Sequence, residues 1–129
     1  MKTPYWKAVR RADDAFSKWV RYSNTLPGGA IKCYCGRIVP VEESDCSHYV
    51  DRAHMGTRYE ENNCAPSCRS CNRFKEGNKD EFTLFLVKTY GQEILEELNQ
   101  KKHMITKMDV YSLNLIADEY KTKLKALIK

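Results

Sequence analysis

The stretch Cys64-Ala-Pro-Ser-Cys68-Arg-Ser-Cys71-Asn72-Arg-Phe-Lys75 decides how this chain folds. It contains a C-x-x-C pair, Cys68 and Cys71, followed at once by a polar residue and a basic run that suits a helix. This order is typical of a thiolate clamp that holds zinc at the start of a helix. A second thiol pair, Cys33 and Cys35, lies upstream, so the two pairs together predict a four-sulfur structural zinc site.

This zinc site is expected to fold the chain and not to act in catalysis. The upstream pair is C-x-C, one residue tighter than the usual C-x-x-C knuckle. Four thiolates leave zinc without an open coordination position, so the ion cannot activate water. The two remaining cysteines, Cys46 and Cys64, are interpreted as small buried apolar residues.

Length and composition indicate one domain inside a cell. The chain has 129 residues, which suits a modest core that a metal would help to stabilise. It contains neither an apolar run long enough to span a membrane nor an apolar segment typical of a secretory signal. We therefore expect an intracellular, cytoplasmic protein without a membrane partner, in which six cysteines favour metal binding over disulfides.

The positive charge lies in the half of the sequence that carries the cysteines. Residues 1–79 contain 14 Lys and Arg against 9 Asp and Glu, whereas residues 80–129 contain 8 of each. A basic surface around a metal site favours a polyanionic partner, although ordinary solvation of a small protein explains the same excess.

Hydrophobic periodicity divides the single domain of residues 1–129 into three parts. Residues 1–24 contain a long amphipathic helix, expected over residues 4–22 with Thr3-Pro4 at its start. Residues 30–79 form the metal core, with a knuckle over residues 31–39, a strand over 46–50 and a short helix from Asn72. Residues 80–129 contain helices expected near 80–90, 92–100 and 107–127. The large aromatic residues of the helical parts are assigned to the core; they are Trp6, Trp19 and Tyr90.

Three polar residues between and after the cysteine pairs are the candidates for chemistry. His48 suits a general base because imidazole titrates near neutral pH. Asn63 could orient that ring by hydrogen bonding, and Asn72 could offer its amide oxygen to a hard cation. Taken singly, each of these residues has an ordinary structural explanation.

The order of these residues resembles the H-N-H nuclease motif in its H-N-N form. The resemblance narrows to the NinG (Rap) recombination-protein family of lambdoid phages, and the phage junction resolvase endonuclease VII is similar in its zinc pairs, histidine and asparagine. The matching stretches are Asp13–Arg21, Cys35-Gly36, His48–Arg52, His54, Thr57–Asn63, Cys68–Phe74, Gly77-Asn78 and Tyr90–Glu93. The tail from Gln100 resembles nothing that we can name.

The resemblance implies an α+β fold: a small ββα-metal core of the HNH, treble-clef-like type, with a long N-terminal helix and C-terminal helices. It implies a metal-dependent endonuclease that hydrolyses phosphodiester bonds in branched recombination intermediates, such as Holliday junctions or D-loops. His48 would deprotonate water, Asn63 would hold its ring, and Asn72 would bind Mg²⁺ or Mn²⁺. It also implies a bacterial host that carries the phage or prophage, and by analogy a two-fold homodimer.

The basic residues near this motif are expected to contact DNA. Arg52 and Arg58 could clamp phosphates, or instead form ion pairs with Asp51 or Glu60. The cations that could follow the phosphate backbone are Arg73, Lys75 and Lys79.

One position departs from the nuclease pattern. Many nucleases of this class carry a metal ligand just before the base, whereas this chain has Ser47. Asp45, Asp51 or His54 could replace that ligand, and His54 is the preferred candidate. Ser47 also favours the alternative reading, a zinc-folded DNA-binding module without cleavage activity. A third reading, a zinc-stabilised protein-interaction domain, would need the large aromatic residues at its surface.

Overall fold

The computed structural model describes residues 3–104 and 106–127, which form an α+β domain with two small sheets and several helices. The helices are α1 (Pro4–Tyr22), α2 (Met55–Arg58), α3 (Lys79–Tyr90), α4 (Glu93–Lys102) and α5 (Val110–Leu127). The strands are β1 (Ala30–Lys32), β2 (Ile38–Pro40), β3 (Ser44–His48) and β4 (Cys64–Cys68). Two single 3-10 turns (Val41–Glu43 and Glu61–Asn63) and a π-helical turn (Ser70–Phe74) join them. None of the described helices is both long enough and apolar enough to cross a membrane.

The first helix forms where the sequence predicts it. Thr3 caps its start, since the side-chain oxygen accepts a hydrogen bond from the Trp6 amide at 3.3 Å and Pro4 occupies the first helical position. Its buried stripe packs against α5, where Leu113 lies against Val9 and Ala12. The long helical pair forms one side of the molecule.

The centre of the fold is the antiparallel β3–β4 hairpin, which pairs Ser44 with Cys68 and His48 with Cys64. The next pair along the ladder is hydrogen bonded, because the Tyr49 amide donates to the Asn63 carbonyl at 2.8 Å. Hydrogen-bonded and non-hydrogen-bonded pairs alternate in an antiparallel ladder. Pro66 therefore falls at a non-hydrogen-bonded pair, where its missing N–H costs no ladder bond.

Helices cover both faces of this hairpin. Cys64 packs with Phe16, Val20 and Tyr120 on the face toward α1 and α5. The next residue, Ala65, packs with α3 and α4 residues on the opposite face. Successive side chains of a strand point to opposite faces, so the hairpin separates two apolar cores.

Several predicted elements differ from the structure. The β4 strand was not predicted, and the expected 46–50 strand runs from Ser44 to His48. The last helix begins at Val110 and not near residue 107. The expected short helix from Asn72 is the π-helical turn, which already begins at Ser70.

The aromatic core assignment was wrong for two of three residues. Trp6 is 57% exposed and Tyr90 is 43% exposed, whereas Trp19 packs against the buried cluster beside Cys64. Trp6 lies in the first turn of α1, where helical periodicity alone does not say how far the covering helix extends.

Candidate functional site

The four predicted zinc ligands lie together. The sulfur atoms of Cys33, Cys35, Cys68 and Cys71 are all within 4.8 Å of one another, and the Cys35 and Cys68 sulfurs are 3.9 Å apart. A tetrahedral site with Zn–S bonds of about 2.3 Å places its sulfurs about 3.8 Å apart, so these residues fit zinc. Burial raises the pKa of the Cys33 thiol to about 12, so this sulfur needs a nearby cation to become a thiolate.

The backbone around the sulfur cluster is held in place by its own hydrogen bonds. The Cys33 amide donates to the Arg37 carbonyl and the Gly36 amide donates to the Cys33 carbonyl, both at 2.8 Å. Gly36 adopts a φ of +96°, which a side chain would resist. At the other pair, the Asn78 amide group donates to the Cys71 sulfur at 3.4 Å. The tight C-x-C turn is thus compatible with a metal knuckle.

Two adjoining clefts contain the candidate catalytic residues. His48, Asp51 and Asn72 line both of them. The first cleft, of about 400 Å³, lies against α1 and is also lined by Asp45, Cys46, Arg52 and Arg73. The second cleft is also lined by His54, Lys79 and Lys102. The structure therefore places His48 and Asn72 on the same side of the molecule.

His48 ends β3 and is held by the backbone of α2. Its Nε2 lies 3.0 Å from the Arg58 carbonyl oxygen, and the ring lies near Phe16 with centroids 6.3 Å apart. Burial is the main cause that lowers the pKa of His48, to about 4. The imidazole is therefore neutral at physiological pH.

Asn63 holds the loop after His48 and does not bond to the ring itself. It is fully buried, and its Oδ1 accepts from the Val50 amide at 2.8 Å. Its Nδ2 donates to the carbonyls of Val50 and Thr57 at 3.0 and 3.1 Å. The expected contact with the imidazole is replaced by these backbone bonds, because α2 supplies the carbonyl that the ring needs.

Asn72 is hydrogen bonded to Ser47, which occupies the expected metal-ligand position, and to Asp45, one of its proposed replacements. Its Oδ1 accepts from the Ser47 hydroxyl at 2.9 Å, and its Nδ2 donates to Asp45 at 3.1 Å. Ser47 is buried and also shares a hydrogen bond of 2.6 Å with Ser67. Tyr34, which lies between two cysteines of the sulfur cluster, donates to Ser47 at 3.2 Å or to the Gly77 carbonyl at 2.6 Å.

Asp45 is ionised and partly buried beside these groups. Burial alone would raise the pKa of Asp45, but hydrogen bonds from Arg73 and Asn72 outweigh it and lower the pKa. Arg73 forms two of these bonds, at 2.8 and 3.0 Å. A carboxylate and an amide oxygen, both hard ligands, thus lie beside each other, and their residues line the first cleft together with His48.

Arg58 and Arg52 differ in their availability to a phosphate. Arg58 forms a two-pronged ion pair with Asp13, at 3.0 and 2.6 Å, and only 12% of its side chain is exposed. The ion-pair reading is therefore correct for Arg58, although the partner is Asp13 and not Asp51 or Glu60. Arg52 is 3.6 Å from Asp13 and its side chain is 60% exposed at the first cleft.

The remaining predicted cations are all exposed but differ in their contacts. Lys75 and Arg73 are exposed, the latter while paired with Asp45. Lys79 instead donates to the carbonyls of His48 and Tyr49 and lies over the Tyr49 ring. Lys79 therefore supports the end of β3 while it is also exposed at the surface.

Sequence reasoning missed two organising residues. Asp13 on α1 receives Arg58 and the Tyr59 hydroxyl, the latter at 2.8 Å. Ser67 shares its hydrogen bond with Ser47. The partners of Asp13 lie 45 and 46 positions away, so no local pattern could have revealed them.

Comparison with known proteins gives a consistent family assignment. The profile of a family described as Bacteriophage Lambda NinG protein matches residues 2–129. Protein ninG of Escherichia phage lambda is 30% identical over 128 residues, which cover 95% of this chain and 57% of that protein. Protein ninG of Escherichia phage 933W is also 30% identical over 128 residues, which cover 95% of this chain and 58% of that protein. The chain thus spans little more than half the length of these relatives, and no solved structure matches it significantly.

Proposed function

This chain belongs to the NinG family of phage proteins, and from that membership and the geometry around His48 we propose that it is a metal-dependent endonuclease. Its substrate would be branched DNA of the kind formed during recombination, and the reaction would be hydrolysis of a phosphodiester bond. The four-sulfur site would hold a structural zinc ion.

The orientation of His48 carries the proposal. A carbonyl oxygen only accepts hydrogen bonds, so the contact with Arg58 requires the proton to be on Nε2. Nδ1 of the neutral ring then keeps its lone pair and can take a proton from an attacking water. As the ring becomes charged, the Arg58 carbonyl stabilises the developing imidazolium.

The acidic side of the clefts supports a role for a hard divalent ion. Asp45 and Asn72 offer oxygen ligands in the first cleft, which His48 also lines, and Asp51 and His54 line the second cleft. Mg²⁺ or Mn²⁺ bound there would neutralise charge on the scissile phosphate and on the leaving oxygen. Asn72 is positioned for this by Ser47 and by Asp45.

The exposed cations of the first cleft support a polyanionic substrate. Arg52 and Arg73 line it, and Lys75 follows Arg73 at the surface. Arg52 can bind a phosphate without breaking a close ion pair, because its distance to Asp13 is already 3.6 Å.

A cleavage assay on four-way junction, flap and linear duplex DNA tests the proposal. With Mg²⁺ or Mn²⁺, the wild-type protein should cut a branched substrate, and His48→Ala should lose at least about a hundredfold in rate. His103→Ala is the matched control, since this exposed histidine lies at the end of α4. Equal cutting by the wild type and His48→Ala, or no cutting with any divalent ion, would remove the enzyme hypothesis.

A second candidate function is a zinc-folded DNA-binding module without cleavage. Ser47 favours it, because a buried hydroxyl occupies the position of the expected metal ligand and bonds to Asn72. Salt-sensitive DNA binding combined with no cleavage by the wild type would select this alternative.

A further inference from the structure

A second group of metal-type ligands lies beside the proposed base. The sulfur atoms of Cys46 and Cys64 and one ring nitrogen of His48 are all within 4.8 Å of one another. Cys64 is buried, whereas Cys46 and His48 are half-buried and line the first cleft. Neither cysteine belongs to the four-sulfur cluster.

The hairpin register produces this grouping. His48 is paired directly with Cys64, and Cys46 lies two residues earlier on the same face of β3. The His48–Cys64 pair is non-hydrogen-bonded, and side chains are closest together at such pairs. The three ligand atoms therefore converge on the face that packs against α1.

We propose that Cys46, His48 and Cys64 form a second site, which binds a thiophilic divalent cation such as Zn²⁺ and blocks His48 when it is occupied. Two thiolates and a neutral imidazole are ligands that zinc prefers, and together with the ion they make a group of zero net charge that tolerates burial. Binding releases the two thiol protons. The cleft beside Cys46 and His48 provides the path by which the ion enters.

This second site would bind Zn²⁺ in preference to Mg²⁺. Mg²⁺ prefers oxygen ligands and would not compete for two sulfurs. A zinc ion held here would take the single lone pair of the neutral imidazole, which the proposed base also needs. This blocking effect rests on the proposed function, whereas the binding itself does not.

Metal stoichiometry tests the binding. Native mass spectrometry of the zinc-saturated protein should find two ions per chain in the wild type and one in Cys46→Ala. Ser17→Ala is the matched control, because Ser17 lines the same cleft without offering a thiolate or imidazole ligand, and it should keep two ions. One ion in the wild type, or two ions in Cys46→Ala, would overturn the site.

Absorption of the cobalt-substituted protein is a second measurement, and it uses Cys64→Ala as well as Cys46→Ala. Two of the six cysteines belong to this site, so Cys46→Ala and Cys64→Ala should each weaken the thiolate-to-cobalt absorption, by up to about one third. Unchanged absorption in the folded Cys46→Ala protein would contradict the proposal, whatever the stability of Cys64→Ala.

Zinc titration into the Mg²⁺-supported cleavage reaction tests the block on His48. The wild type should be inhibited at a zinc concentration at least about tenfold lower than Cys46→Ala. Inhibition of both proteins at the same concentration would show that the ion does not reach the base. Two bound ions in a wild type that cuts no DNA would leave the site intact and remove the proposed function.

Discussion

Replacing Asn63 should destabilise the whole domain, because this side chain joins three backbone groups in a fully buried position. Asn63→Ala removes the partners of the Val50 amide, the Val50 carbonyl and the Thr57 carbonyl. At about 1 kcal/mol for each lost hydrogen bond, the free energy of unfolding should fall by about 3 kcal/mol. For a domain of this size, the melting temperature should fall by about 10 °C.

Urea and thermal unfolding of the zinc-saturated proteins measure this loss. Asn62→Ala is the matched control, because Asn62 lies on the same turn and is only half-buried. Asn63→Asp should be at least as unstable as Asn63→Ala, since it turns a carboxylate oxygen toward two carbonyls in place of the amide donor. Hydrogen exchange at the Val50 amide should accelerate in both variants.

The result that would refute this reasoning is specific. If Asn63→Ala unfolds within about 0.5 kcal/mol of the wild type, the three bonds do not stabilise the loop. If the variant keeps its stability and changes only the titration of His48, Asn63 acts on the ring after all.

Three further predictions concern the zinc, the base and the arginines. Cys68→Ser should release the structural zinc and unfold the core, as measured by metal content and circular dichroism; a folded, zinc-free variant would contradict the four-sulfur site. The pKa of His48 near 4 lies below the ordinary value, so the ring stays neutral as pH falls to about 5. The acid limb of kcat/KM should therefore lie below pH 6, and a midpoint at the ordinary histidine pKa would argue against His48 as the base. Arg58→Ala should lower the free energy of unfolding by about 2 kcal/mol, because it leaves Asp13 without its close partner. Arg52→Ala should instead weaken DNA binding and reduce its salt dependence, with little change in stability. The reverse pattern in unfolding and binding titrations would contradict the assignment of the two arginines.

The parts of the fold that sequence could predict are those set by local patterns. The first helix follows from the Thr3-Pro4 cap and a regular apolar stripe. The cluster of Cys33, Cys35, Cys68 and Cys71 follows from spacing, and Gly91 ends α3 with a φ of +94°, as expected.

The β4 strand was missed because its proline is tolerated only through its position in the pairing with β3. Pro66 weakens any strand prediction, yet its place at a non-hydrogen-bonded pair makes it harmless. Register is a property of two segments, so the sequence of one segment does not contain it.

Residue order predicted which candidate residues lie near one another better than it predicted their contacts. His48 and Asn72 do line the same clefts. The partners of Asn63 are backbone atoms, and the partner of Arg58 lies on a distant helix. Neither type of contact follows from residue order, because both depend on how α1 and the loop after β3 pack together.

The hydroxyl of Tyr34 links the four-sulfur cluster to the candidate site, which would make the protein depend on zinc supply. Tyr34 lies between Cys33 and Cys35, and its hydroxyl is 2.6 Å from the Gly77 carbonyl and 3.2 Å from Ser47, so the loop that could hold zinc also supports the side of the molecule that carries Asn72. A newly made chain in a zinc-starved cell would lack this support. Under the proposed function, such a chain would not cleave the DNA around it. The supply of zinc would thus limit any cleavage activity of this protein.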